Sequence, residues 1–97
     1  MALQYVKQFN ADMGELSLNF GDKHWKRFPA QKIKSIQNTK VTKKVLFFKK
    51  QVDCIEIHVN DEPEPFVIQR GVIADDFVWV KDVLRSFAAK NKVSFVE

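Results

Sequence analysis

The stretch D-D-F-V-W-V-K-D-V-L-R-S-F, Asp75 to Phe87, decides the fold. Phe77, Val80, Leu84 and Phe87 recur at intervals of three and four, and Val83 and Ala88 broaden the stripe. That spacing predicts a helix with one wide apolar face. Asp75 or Asp76 caps its N-terminus, where both carboxylates also suit the positive end of the helix dipole. Lys90 and Lys92 gather at the other end, as the dipole prefers. Trp79 lies beside the main stripe. The helical pattern comes last in the chain, so what precedes it must supply the surface it covers.

What precedes it alternates with a period of two. Glu15 to Phe20 places Leu16, Leu18 and Phe20 on one face, the mark of a half-buried strand. Gly21-Asp22 supplies a turn, and His24 to Phe28 resumes as the second strand of a hairpin. Upstream, Leu3, Tyr5 and Phe9 share a face that Lys7 interrupts. Pro29 cannot donate within a ladder and marks an edge or a start. Ile33 and Ile36, three apart, fit a helical turn or a bulged strand. Val45 to Phe48 is a continuous apolar run between Lys43-Lys44 and Lys49-Lys50. Ile55, Ile57 and Val59 face one way, and Cys54, Glu56 and His58 the other. Asn60 to Pro63 is a turn by composition, Phe66 to Gln69 a return strand, and Val93 to Val96 a last strand or an extended tail. Strands followed by one helix predict a mainly β chain of the α+β class. The expected form is a bent antiparallel sheet or partly open barrel, capped by the helix, in one domain over residues 1–97.

Composition agrees with this size. The 97 residues are 45% hydrophobic and include nine Phe and two Trp, so an aromatic core is expected. A single cysteine, Cys54, excludes an intramolecular disulfide and a cysteine-based metal site. The N-terminal residues lack the pattern of a signal peptide, and the longest apolar runs are four residues, too short to span a bilayer. A reducing cytoplasm is the expected home, with no transmembrane segment. Net charge is +4, divided unevenly: residues 1–50 hold eleven Lys/Arg against three Asp/Glu, and residues 51–97 five against nine. The basic half predicts attraction to anionic partners.

Catalytic patterns are missing. Three scattered glycines make no phosphate loop. His24 and His58 fall on different strands, without donors at metal-ligand spacing. Cys54 and His58 share a strand face but stand roughly 13 Å apart along it, beyond a nucleophile–base hydrogen bond. Adjacent helix residues point in different directions, so Asp75 and Asp76 cap better than they pair. No enzyme activity, metal or cofactor is expected.

The basic and aromatic residues are the candidates for binding: Trp25, Lys26 and Arg27 in one strand, and Lys43, Lys44, Phe47, Phe48 and Lys49 around the apolar run. Cations beside rings suit single-stranded nucleic acid and an anionic membrane. The same lysines also guard an apolar edge strand against aggregation.

With its strands and helix in this order, the chain resembles a pleckstrin-homology (PH)-like domain of the small bacterial kind. The segment Asp75 to Phe87 is similar to that family's C-terminal helix, with Trp79 where a tryptophan is common. H-W-K-R-F at 24–28 looks like its early basic-aromatic strand. The basic-x-Arg pattern of phosphoinositide-binding members is not met, because the residue two before Arg27 is Trp25. The resemblance implies a scaffold that presents loops and a groove to proteins or lipids and brings no catalytic residues. The expected function is a non-catalytic binding and assembly module for a protein partner or its own copies, with Val45–Phe48 as one contact. The alternatives are nucleic-acid binding and peripheral attachment to anionic lipid through the basic surface.

Overall fold

A computed structural model describes residues 4–21 and 23–97, the side chains of Lys43 and Val45 excepted. In chain order the elements are β1 (Gln4–Tyr5), β2 (Gln8–Ala11), β3 (Glu15–Asn19), β4 (Trp25–Pro29), β5 (Ile33–Val45), β6 (Phe48–Val59), β7 (Phe66–Gln69), α1 (Phe77–Asn91) and β8 (Ser94–Val96). A five-stranded sheet runs β1-β7-β6-β5-β8 and a three-stranded sheet β2-β3-β4. The fold is mainly β with one C-terminal helix, and the two sheets do not close into a barrel. No helix among the described residues is long and apolar enough to cross a membrane.

The alternation builds the core. Leu16 and Leu18 from the small sheet meet Ile36, Ile55, Ile57 and Ile68 from the large one, all fully buried. Phe77, Val80, Leu84 and Phe87 of α1 close this layer, as their spacing predicts. Each such side chain contributes roughly 1.5–3 kcal/mol by leaving water. Asp76, not Asp75, is the helix cap: its carboxylate accepts from Trp79 N at 3.1 Å. Lys92 ends the helix in the left-handed conformation, φ 56. Trp79, beside the stripe, stays half exposed and packs its ring 5.9 Å from that of Phe9.

Several expectations are refined. The upstream strand is two short ones in different sheets; Leu3 and Asp22 lie outside the described residues. The chain crosses between sheets at Val6 and Lys7, and Val6, the residue out of phase with the expected face, is fully buried. Its N–H donates to the Val67 carbonyl at 2.8 Å, while that of Lys7 donates to Asn19 at 2.8 Å in the other sheet. Pro29 ends β4, an edge strand of the small sheet and so one of the two places expected for it, and a short 3-10 turn, Ala30–Lys32, follows. The spacing of Ile33 and Ile36 marks a bulged strand, with a register shift between Ile33 and Ser35. Val93–Val96 contributes β8, which pairs parallel to β5.

The largest departure concerns Val45–Phe48. This run is no strand of its own but the end of a hairpin: Val45 pairs with Phe48, and Leu46 and Phe47 form the two-residue turn. No Gly, Asn or Pro marks the turn, so in the sequence it reads as a continuous apolar stretch. Leu46 takes φ 54, the left-handed conformation that such tight turns require and that glycine or asparagine usually supplies.

Candidate binding site: the projecting β5–β6 arm

Strands β5 and β6 outrun the sheet that contains them. β8 pairs with β5 only at Ser35–Gln37, and β7 with β6 only at Cys54–Ile57. The Arg70 N–H, donating to the Asp53 carbonyl at 3.0 Å, is the last backbone anchor. Beyond it the ladder continues from Val41↔Val52 to Val45↔Phe48 with no third strand among the described residues. At about 3.4 Å per residue, the six steps from Asp53 to Phe47 make a ribbon about 20 Å long. The molecule measures 44 × 29 × 25 Å.

Strand alternation gives the arm two faces. Ile36, Ile55 and Ile57 point to the core beneath α1, so Lys40, opposite Asp53, then Thr42, Lys44, Lys49 and Gln51 continue that inner, helix-side face. Val41, Val52, Phe48 and Lys50 occupy the outer face, where Val41 stands directly opposite Val52. The turn carries Leu46, 89% exposed, and Phe47, 101% exposed. Residues 40–52 hold five lysines and no Asp or Glu. In the register Lys44 faces Lys49, and like charges directly opposite destabilise a ladder. Together with the left-handed Leu46, which costs roughly 1–2 kcal/mol, the tip is built against its own stability. A two-stranded ribbon is marginal in water even without these costs.

Where the arm leaves the body, its inner face and α1 form a corner, a cleft of about 480 Å³ bordered by Asn38, Lys40, Asp53, Arg70, Lys81 and Arg85. Two of its arginines are engaged. Arg70 pairs with Asp53 at 3.1 Å and lies over the Phe77 ring at 4.9 Å. Arg85 pairs with Asp82 at 3.3 Å and with Glu97, and the Glu97 carboxyl is held below its ordinary range by the hydrogen bond and charge of Arg85. With its amide turned to donate to the Cys54 carbonyl, Asn38 accepts from Lys81 Nζ at 3.3 Å. Among the described residues no carboxylate lies within ion-pair distance of Lys40, Lys44, Lys49 or Lys81.

The structure gathers part of the expected site and separates the rest. Lys44, Phe47, Phe48 and Lys49 meet at the tip. Lys43 joins them by register, its side chain lying outside the description. Trp25, Lys26 and Arg27 belong to β4 in the other sheet. The Lys26 ammonium sits over the rings of Phe20 and Phe66, at 5.7 and 5.8 Å. Phe66 pairs with Ile57, nine residues along β6 from Phe48, about 30 Å of strand. Arg27 lies 3.8 Å from Glu15, both exposed, and Trp25 is 43% exposed. The basic-aromatic strand and the lysine-flanked run are therefore two surfaces. Leu46 lies within the expected contact Val45–Phe48, whereas Thr42 and Gln51 on the arm and Lys81 of α1 at its corner were not expected. The near-symmetry of K-K-V-L-F-F-K-K about Leu46-Phe47 is the sequence signal for the hairpin.

Two other places bear on chemistry. A groove of about 590 Å³ between α1 and the β2–β3 turn is lined by Met13, Val83 and Phe87, with one carboxylate, Asp12, and one ammonium, Lys90. None of the expected binding residues borders it. Cys54 is buried, and among the described residues no group of three or more His, Cys, Asp or Glu gathers as a metal site would require. No family model matches the chain, and no curated protein or solved structure is significantly similar to it.

Proposed function

We propose that this chain is a non-catalytic binding module whose recognition element is the β5–β6 arm and whose partner is polyanionic. One observation carries the reading: five lysines and no acid over residues 40–52, on a ribbon that leaves the body above Asp53 and ends in exposed apolar residues. Tolerating a like-charge pair and a left-handed leucine where neither helps folding is what selection for a ligand would leave behind. The test is equilibrium binding of fluorescein-labelled heparin, a generic polyanion, across a salt series. Affinity should fall steeply with salt, and Lys44→Glu with Lys49→Glu should weaken it at least tenfold. An unchanged affinity in that double variant would overturn the reading.

The PH-like description of the scaffold belongs to the same proposal. Antiparallel strands closed by a C-terminal amphipathic helix support it, while the open sheets and the parallel β1 and β8 depart from a simple capped barrel. A second reading, a protein partner or a second copy of the chain, is favoured by Val41, Val52 and Phe48 on the outer face. Lysines on both strands oppose edge-to-edge pairing of arms, so association would stack outer faces. Light scattering across concentrations tests it: self-association that resists salt and is lost in Val41→Asp supports it, and a monomer throughout speaks against a second copy.

A further inference from the structure

We infer that the arm's partner is duplex DNA, entered through the major groove by the inner face of the ribbon; this rests on the polyanion reading above. Lys40, Lys44 and Lys49 mark the length of that face, and Lys81 adds a fourth cation in the corner beneath it, where Asp53 and Asp82 are paired with Arg70 and Arg85. A planar anionic membrane would meet the tip alone. Lys40 lies six residues behind Leu46, roughly 20 Å of strand, about twice the screening length at physiological salt. A rod-shaped polyanion along the arm meets all four cations at once.

The distribution of rings separates duplex from single strand. Single-stranded binders stack successive bases on aromatic side chains along the track. Here Phe47 and Phe48 stand at or next to the turn, and the inner face of the arm carries none. Its middle instead holds Thr42 directly opposite Gln51, side chains that hydrogen-bond to base edges, with lysines on either side for phosphates or guanine. Two strands about 4.8 Å apart fit a B-form major groove about 12 Å wide, whereas the deep, narrow major groove of A-form RNA shuts side chains out. The exposed Leu46 and Phe47 then supply apolar contact, which thymine methyls accept in that groove.

The experiment compares the full chain's binding, by fluorescence anisotropy at several salt concentrations, to a 20-base-pair duplex DNA pool, the matching duplex RNA, single-stranded DNA, heparin and phosphatidylserine vesicles. Duplex DNA should bind at least tenfold tighter than the RNA duplex or the single strand. The log–log salt slope should be about −3.6, from roughly −0.9 for each of four phosphates, and Lys44→Gln with Lys49→Gln should reduce it by about two. Guanine N7 in the bound duplex should be protected from dimethyl sulfate. Equal, lysine-dependent binding to all the nucleic acids and heparin without N7 protection would overturn the groove inference and leave the polyanion reading standing. Binding confined to vesicles would also overturn it. No lysine-dependent binding to any probe, heparin included, would sink both.

Discussion

Lys44 lies directly opposite Lys49 across the β5–β6 ladder, one pair behind the turn that presents Leu46 and Phe47. On a ribbon with no third strand among the described residues, this repulsion acts on a segment the body does not support. Lys44→Glu turns the repulsion into a cross-strand attraction worth up to about 1 kcal/mol. Amide hydrogen exchange should slow across the arm in that variant, while heparin binding weakens. Faster exchange in the arm would show that the pair is no cost to folding.

Leu46→Gly tests the other cost at the tip. Glycine adopts φ 54 without the clash that a Cβ creates. Against the greater freedom glycine has in the unfolded chain, the turn should gain up to about 1 kcal/mol, again read as slower exchange of arm amides. Loss of protection would mean that the Leu46 side chain itself holds the arm.

Closure of the sheets by α1 predicts a contrast within the helix. Leu84 is fully buried and Val78 is 53% exposed. Leu84→Ala should cost about 2–5 kcal/mol in denaturant unfolding, and Val78→Ala less than about 0.5 kcal/mol. Similar values for the two would contradict the packing of the helix. At its N-terminus, Asp76→Ala should cost about 0.5–2 kcal/mol through loss of the bond to the Trp79 N–H, with Asp75→Ala close to neutral.

Glu97 provides a check by pH. Its hydrogen bond to Arg85, and the guanidinium's charge, lower its pKa in the folded state. The sign follows: the interaction is complete above the carboxyl's ordinary range and is lost as pH falls through the lowered folded value. A carbon-detected NMR titration should place the Glu97 midpoint below the ordinary range of a glutamate carboxyl and return it toward that range in Arg85→Ala. A midpoint unmoved by that substitution would remove Arg85 as the cause.

Sequence periodicity sufficed wherever burial imposed it. Leu16 and Leu18, Ile55 and Ile57, and the stripe from Phe77 to Phe87 each face the core as their spacing requires. It failed where no core imposes a pattern. Leu46 and Phe47 turn without a turn residue, and an apolar pair between apolar neighbours has the composition of a strand. The split at Val6–Lys7 was hidden for a related reason: a crossing between sheets reverses the alternation, so one buried residue appears out of phase. The separation of Trp25, Lys26 and Arg27 from the arm depends on which strands pair, and residue types alone carry no such information.

The arm offers one direct test of the binding proposal. Replacing residues 42–51 with Asn-Gly keeps Val41 opposite Val52 and closes the hairpin with a favoured two-residue turn. The shortened chain should keep its circular dichroism spectrum and cooperative unfolding, and should lose salt-sensitive binding to both heparin and duplex DNA. A shortened, folded chain that binds either polyanion as tightly as the full one would contradict the assignment of recognition to the arm.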